Sequence, residues 1–323
     1  MASFSATNLR YIPMYFFFQV GKLQMYDLGK KFRSYYANFI PDEYFEKDVF
    51  IRSSDKSRCL MSAYTFLAGL YPPTERQMWH PEIPWQPVPV HSLPKELDNV
   101  IAAAKPCKVW KAMYNELLAE KDADPKFREL FDYLSKHTNQ SMRSVLPVDF
   151  LYSTLLAEQE AGLKLPEWTR TVFPAKMRTP FMLSPLFNLG PLLKEMKQYF
   201  DETVRHENVD RSLYVYSGHD VTMVSLWLQE NLVPLISVTP WLFCLEVLSM
   251  YIYKFNICIM YGLFYVLQTF YRNNTKVEVP TELKLPFCDE PCSYSQFSRH
   301  MSKLIPDDWE AECGNKTCYL LFI

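Results

Sequence analysis

The chain has 323 residues, of which 49% are hydrophobic, so it is long enough to bury a large core. This composition excludes an intrinsically disordered protein and favours one large elaborated domain or two domains. Acidic and basic residues nearly cancel at a net charge of −2, which argues against nucleic acid or an anionic membrane surface as a partner.

The first part of the chain predicts a helix, a strand and a second helix. Apolar residues in the range 20–39 recur at steps of three and four, which predicts a helix that begins near Gly21. The short stretch 48–51 predicts a strand, and the polar loop RSSDKSR at 52–58 follows it. The apolar-periodic run CLMSAYTFLAGL at 59–70 then predicts a helix.

A proline-rich stretch at residues 72–94 separates this part from a mostly helical region. The prolines prevent a helix there and predict an ordered, extended connection. Successive helical patterns follow, with little strand signal between them. They lie at residues 108–123, 126–137, 148–162 and 191–200.

The strand signal returns at residues 212–217, in SLYVYS, and is followed by GHD and an amphipathic run at 221–232. A strand, a glycine, polar residues and a helix are typical of the carboxyl end of a strand in an α/β sheet, where ligands commonly bind. Two such junctions, at 52–58 and 217–220, therefore flank the helical region.

Four residues at these junctions are candidates for chemistry. His219 could bind an anion and the adjacent Asp220 could donate a proton, although the pair could equally be a helix-capping arrangement. Arg52 and Arg58 flank a loop that enters a helix, a position suited to gripping phosphate beside backbone N–H groups. The alternative for each arginine is a surface ion pair.

The cysteines favour disulfides over a metal site. None of the eight cysteines forms a Cys-x-x-Cys pair or lies near histidines at zinc-finger spacing, so no metal is expected. Cys288 and Cys292, in FCDEPC, have a spacing that suits a small disulfide-closed loop in an oxidising compartment.

Glycosylation sequons also agree with export. Asn-x-Ser/Thr triplets lie at Asn139, Asn273 and Asn315, although such triplets arise often by chance. Residues 1–21 do not form a clear signal peptide, because their apolar stretch is brief, contains a proline and is followed by no small-residue cleavage site.

Segments spread along the chain resemble the histidine acid phosphatases of the prostatic, lysosomal and insect venom type. GKLQMYDLGKKFR resembles the helix after the family's catalytic loop, and VFIRSSDKSRCLMSA resembles its second phosphate-binding loop. The segments MWHPEIPWQPVPVHSLP, LYVYSGHD, FYRNNT, LPFCDEPC and IPDDWEAEC then follow in the family's order.

The resemblance implies a fold and a division into domains. The expected fold is α/β and phosphoglycerate-mutase-like, a mixed sheet with helices on both faces and an inserted helical cap. The cap is expected at 94–200, and the α/β core at 1–93 and 201–323. Residues 236–270 form an apolar stretch that departs from the family, which has a short strand and a hairpin there.

The resemblance also implies roles for the candidate residues. Arg58 would bind phosphate, His219 would contact the phosphoryl group, and Asp220 would donate a proton to the leaving alcohol. Arg52 would be a supporting residue, with phosphate binding as its alternative. The implied disulfides are Cys107–Cys313 and Cys288–Cys292.

The implied activity is hydrolysis of phosphate monoesters through a phosphohistidine, without a cofactor. Small phosphomonoesters or phosphoproteins would be substrates. The protein would be secreted or lysosomal, and it could form a homodimer.

The family's nucleophile lies in an Arg-His-Gly-x-Arg-x-Pro motif, which this sequence does not contain. The first histidine is His80, in the proline-rich connection. The chain as printed is therefore expected to be inactive or to come from an incomplete gene model, and a non-catalytic phosphate-binding relative is an alternative. Losing a central strand is also expected to expose a sheet edge or leave a gap in the core.

The apolar stretch 236–270 raises a third alternative, a membrane-attached protein. Glu246, Lys254 and Asn256 interrupt it, and each charge near a bilayer centre costs about 2.5–3.5 kcal/mol. A membrane span is therefore not expected.

Overall fold

The computed structural model describes residues 14–101, 107–160, 162–181, 190–205, 211, 213–219, 222, 252–258, 264–272, 277 and 279–314. The helices are α1 (Met14–Tyr35), α2 (Ser57–Leu70), α3 (Lys108–Ala123), α4 (Pro125–Thr138), α5 (Val145–Glu160), α6 (Ala175–Phe181), α7 (Gly190–Val204), α8 (Tyr294–Leu304) and α9 (Trp309–Gly314). The strands are β1 (Val49–Ser54), β2 (His91–Leu93), β3 (Leu213–Ser217), β4 (Ile252–Cys258), β5 (Phe264–Tyr271) and β6 (Thr281–Leu283).

A parallel sheet with the strand order β2-β1-β3 carries the first part of the fold. Arg52 of β1 lies opposite Tyr216 of β3, and Ser53 lies opposite Ser217. Helices α1 and α2 cover this sheet through a shared apolar core that includes Ile51 and Val215. The predicted α/β fold class is confirmed.

The strand predicted at 48–51 extends further than the sequence pattern indicated. β1 continues through Ser54, and α2 already begins at Ser57. Pairing with β2 on one side and β3 on the other satisfies the backbone of these polar residues, so the local serines do not end the strand. β1 and β3 pair directly, and the expected gap does not lie between them.

Helices α1 and α2 cross at two glycines. A Cβ atom added to Gly29 would lie 2.1 Å from the carbonyl oxygen of Phe66, and one added to Gly69 would lie 2.1 Å from that of Tyr26. Only glycine permits this approach, so the two backbones are in direct contact.

The start of α1 differs from the prediction. The helix begins at Met14 and Gly21 lies inside it. A glycine inside a helix costs about 1 kcal/mol relative to alanine. Burial of Met25, Leu28 and Phe32 against the core outweighs that cost.

Local signals account for the bounds of α4. The Asp124 side chain accepts a hydrogen bond from the backbone N–H of Lys126, and Pro125 occupies the first turn. The helix ends at Thr138, and its C-cap residue Asn139 has a left-handed backbone conformation with φ of 53°.

Helices α4, α5 and α6 bury a separate core, here called the helical cluster. Its buried residues include Phe127, Leu130, Leu134, Val148, Leu151, Leu155, Phe173 and Met177. Helix α7 packs elsewhere, because Leu192, Leu193 and Met196 contact the core of α8 and β5. The division into a core and a cap at 94–200 stays a prediction.

The apolar stretch 236–270 contains two strands within its described part. β4 pairs with β5 in an antiparallel hairpin, and β5 pairs with β6. Within the ranges described above, no helix is long and apolar enough to cross a membrane. Most of the helix predicted at 221–232 lies outside the described residues.

Two disulfides join the cysteine pairs that the resemblance implied. Cys107, just before α3, is bonded to Cys313 of α9. Cys288 is bonded to Cys292 and closes a small loop before α8. Cys59 is buried and is not disulfide-bonded.

Candidate active site

The carboxyl ends of β1 and β3 and the start of α2 form what is here called the strand-end site. Because β1 and β3 are parallel and adjacent, the residues that follow them meet at one edge of the sheet. Ser54, the last residue of β1, places its Oγ 3.0 Å from Nε2 of His219. The structure thus brings together the two junctions that the sequence placed far apart.

The backbone around His219 is held by a second set of contacts. The His219 N–H donates to Oγ1 of Thr222 over 3.2 Å, and that hydroxyl donates to the carbonyl oxygen of Ile101 over 3.0 Å. A Cβ atom added to Gly218 would lie 2.9 Å from Cγ2 of Ile101. Gly218 is therefore needed for the close approach of this turn to the segment that contains Ile101.

The first turn of α2 is tied to the end of β3. The Cys59 thiol donates to the carbonyl oxygen of Gly218 over 3.3 Å, and its Sγ lies 3.9 Å from Nδ1 of His219. In return, the Ser217 hydroxyl donates to the carbonyl oxygen of Cys59 over 2.9 Å. These bonds fix the position of α2 relative to His219.

Burial and nearby charge make His219 a weak base. Burial is the larger cause, and the positive charges of Arg58 and Lys56 add to it, so the pKa of His219 falls from 6.5 to about 4. Asp98 opposes the shift. His219 is therefore neutral at pH 7, and a nearby negative charge would raise its pKa.

Arg58 lies in the first turn of α2 and is exposed. The N-cap residue, Lys56, makes no side-chain capping hydrogen bond. The first backbone N–H groups of a helix attract anions, and a guanidinium can bind two oxygens of a phosphate at once. Arg58 and the start of α2 thus place positive potential beside the neutral ring of His219.

Arg52 lies deeper in the sheet than the other candidate residues. Its Nη1 is 2.5 Å from Oε2 of Glu195 on α7, and the side chains are only 12% and 18% exposed. The Tyr216 hydroxyl donates to the same carboxylate over 2.8 Å. Burial, followed by the charge of Glu195, raises the pKa of Tyr216. The role of Arg52, as a supporting or a phosphate-binding residue, stays a prediction.

The structure does not describe every predicted site residue. Asp220, Asn273 and Asn315 lie outside the described residues. Asn139 is exposed at the end of α4. Within the described residues, no cluster of three or more histidine, cysteine or acidic side chains could hold a metal ion.

Sequence reasoning missed Ser54, Cys59, Thr222 and Glu195. Ser54 was detectable in principle, because it lies two residues after Arg52 and therefore on the same face of β1. Glu195 gave no signal of its own, since a lone glutamate in a helical pattern is usually a solvated residue.

Comparison with known proteins identifies the family. The model of the histidine phosphatase superfamily (branch 2) matches residues 16–162. The lysosomal acid phosphatase of Rattus norvegicus is 31% identical over 310 residues, which cover 91% of this chain and 71% of that protein. The prostatic acid phosphatase of Bos taurus is 28% identical over 319 residues, which cover 92% of this chain and 78% of that protein.

A solved structure agrees at the level of the fold. The phytase from Citrobacter braakii has a TM-score of 0.57 at 13% identity, covering 91% of this chain and 88% of that one. The sequence identity with the lysosomal enzyme, the family match and the shared fold lead to one conclusion: the chain belongs to the histidine phosphatase superfamily, branch 2.

Proposed function

We propose that the strand-end site binds phosphate monoesters, as an acid phosphatase does. Arg58 and His219 would hold the phosphoryl group, and Asp220 would donate a proton to the leaving alcohol. One observation carries the proposal. His219 lies at the carboxyl ends of two parallel strands, where the positive charge of Arg58 acts on its ring.

The electrostatics favour an anion over a neutral ligand. Without a ligand, the charges of Arg58 and Lys56 disfavour a proton on His219. A bound phosphate would oppose these two charges and raise the pKa of His219, because an opposite charge within a few ångströms favours the charged form of a titratable group. The protonated form of His219 would therefore be more favourable with phosphate bound than in the ligand-free site.

Hydrolysis requires a nucleophile that we do not find among the histidines of the printed sequence. None of the six histidines lies in an Arg-His-Gly motif. We therefore expect the printed sequence to bind phosphate without turning over a substrate, which is the behaviour of a non-catalytic phosphate-binding relative. Removing a nucleophile from a catalytic unit costs many powers of ten in rate.

Titration calorimetry with inorganic phosphate at pH 5 tests the binding site. The variant Arg58→Ala should bind at least about 10-fold more weakly, because a charge-assisted hydrogen bond contributes roughly 1.5–3 kcal/mol. Arg76→Ala is the matched control, since Arg76 lies beyond the other end of α2 and is 86% exposed. Equal phosphate affinity of the two variants would show that Arg58 does not bind the phosphate.

A second assay separates binding from turnover. With an aryl phosphate at pH 5 we expect no hydrolysis by the printed sequence. Turnover at a rate typical of enzymes that disappears in His219→Ala would show that another residue attacks phosphorus, and the binding-only function would then be wrong.

We also propose that the protein is secreted or lysosomal. Its ligands would be small phosphomonoesters or phosphoproteins, and a homodimer is the oligomeric state to test. The two disulfides support an oxidising compartment. Asn139 is exposed and therefore accessible as a glycosylation acceptor. A glycosidase-sensitive mass shift that disappears in Asn139→Gln would support this assignment.

A further inference from the structure

A buried carboxylate lies close to the strand-end site and has no part in the proposed function. Asp98 belongs to the segment between β2 and α3 and has 0% exposure. Its Oδ1 accepts the backbone N–H of Val100 over 3.0 Å and that of Ile101 over 2.9 Å, and its own N–H donates to the carbonyl oxygen of Pro94 over 3.1 Å. An aspartate with such bonds closes a turn, so Asp98 sets the direction of the chain up to Ile101.

The turn that Asp98 closes presents the carbonyl oxygen of Ile101 to the strand-end site. That oxygen accepts the hydroxyl of Thr222 over 3.0 Å, and the same hydroxyl accepts the backbone N–H of His219 over 3.2 Å. The direction of both bonds is fixed, because a carbonyl oxygen can only accept and a backbone N–H can only donate. The N–H of Thr222 also donates to the carbonyl oxygen of His219 over 3.0 Å, so the two residues are joined twice.

We propose that Asp98 is a positioning residue, which holds the backbone of His219 in place through Ile101 and Thr222. Ile101 is 1% and Thr222 is 7% exposed, so water does not readily replace a partner that is lost. The packing is also close, since a Cβ atom added to Gly218 would lie 2.9 Å from Cγ2 of Ile101 and 3.2 Å from Oγ1 of Thr222. A shift of Ile101 would therefore move the turn that carries His219. The inference rests on the proposed function only in assigning His219 to the phosphoryl group.

Asp98 also acts on the ring of His219 through its charge. It favours a proton on the ring, whereas burial and the charges of Arg58 and Lys56 at the start of α2 disfavour one. Asp98→Asn removes the charge but keeps an oxygen that can accept the two backbone N–H groups. Asp98→Ala removes both the charge and the acceptor. The two variants therefore separate the effect of the turn from the effect of the charge.

Hydrogen exchange of the His219 amide, measured without ligand at pH 7, tests the positioning role. In Asp98→Ala this amide should exchange about 3- to 10-fold faster relative to the Tyr71 amide, the equivalent of one lost hydrogen bond. The Tyr71 N–H donates to Leu67 within the core of α1 and α2, so it reports any general loss of stability. Asp98→Asn should restore most of the original ratio. An unchanged ratio in Asp98→Ala, or an equally large change in Asp98→Asn, would overturn the proposal.

Phosphate affinity links the same contacts to the proposed function. At pH 5, Thr222→Val should weaken binding of inorganic phosphate by about 3- to 10-fold, and Thr222→Ser, which keeps the hydroxyl, should not. Thr154→Val is the matched control, because that hydroxyl bonds within α5. Combined with Asp98→Ala, Thr222→Val should add little, since both changes break one chain of contacts. Unchanged phosphate binding in Thr222→Val, or fully additive losses, would contradict the inference and leave the proposed function standing. The expected exchange ratios in a protein that binds no phosphate would do the reverse.

Discussion

The strand-end site and the helical cluster are held together by opposite kinds of contact. In the helical cluster the buried hydroxyls of Thr138 and Thr169 donate to carbonyl oxygens four and three residues earlier in the chain. In the strand-end site Ser54, Ser217 and Thr222 bond to residues that lie 165, 158 and 121 positions away.

The helical cluster depends mainly on an apolar core, whereas the strand-end site depends on long-range hydrogen bonds between buried polar groups. The two regions should therefore contribute differently to stability and to function. An apolar core stabilises in proportion to the surface it buries, about 25 cal/mol per Å², and needs no particular partner for each atom. Buried polar groups contribute little net stability, but they are costly when a partner is lost, so they specify geometry. Changes in the helical cluster should therefore alter stability alone, and changes near the strand-end site should alter both.

The largest effect on stability is expected in the helical cluster. Leu155→Ala removes a side chain with 0% exposure and should lower the free energy of unfolding by about 2–5 kcal/mol, measured in urea. Phosphate affinity of the folded protein should stay unchanged. Phe150→Ala, at a 60% exposed position of the same helix, is the control and should be close to neutral. Weaker phosphate binding by folded Leu155→Ala would contradict the prediction that the helical cluster affects stability alone.

The ion pair between Arg52 and Glu195 should have a smaller effect on stability, and this effect should depend on both partners. Glu195→Ala leaves the guanidinium of Arg52 without its partner and should cost about 3 kcal/mol. The double variant Arg52→Met with Glu195→Met should be more stable than Glu195→Ala, because no buried charge is then left alone.

An exposed pair next to the helical cluster provides the comparison. Glu167→Ala removes a partner from Arg170, where both side chains are more than two-thirds exposed, and should cost less than about 1 kcal/mol. Thermal melts of the variants would compare these costs. Equal costs for Glu195→Ala and Glu167→Ala would show that burial of the ion pair does not matter.

A further effect concerns the pH dependence of stability. Since the pKa of His219 is about 4 in the folded protein and near 6.5 when unfolded, the unfolded chain binds the proton first as the pH falls. The contribution is fully present above pH 6.5 and is lost between pH 6.5 and 4. Allowing for partial exposure, the loss should be on the order of 2 kcal/mol.

His219→Asn tests this assignment, because the difference in unfolding free energy between pH 7 and pH 4 should shrink by that amount. His80→Asn, in the proline-rich connection, is the control and should retain the difference. Saturating phosphate should also reduce the loss in the unmodified protein, since a bound anion favours the protonated ring.

The helices and the junctions were predictable because they depend on local pattern. The apolar periodicity of 108–123 and 126–137 corresponds to α3 and α4, and both junctions lie at strand ends as expected. The hairpin of β4 and β5 was not predicted. Its apolar residues satisfy the pattern of a span, a core helix or a strand, and only pairing with a neighbouring strand decides among these.

The amino-acid sequence by itself determined the fold class, the helical periods and the residue types brought to the strand ends, since these follow from local chemistry and from motifs that resemble a family. Tertiary structure alone decided which of those residues meet. The side chains that hold His219 and Arg52, namely Ser54 and Glu195, are 165 and 143 positions away from them in the chain. No local pattern specifies such pairs, because they arise only when parallel strands and packed helices bring distant segments together.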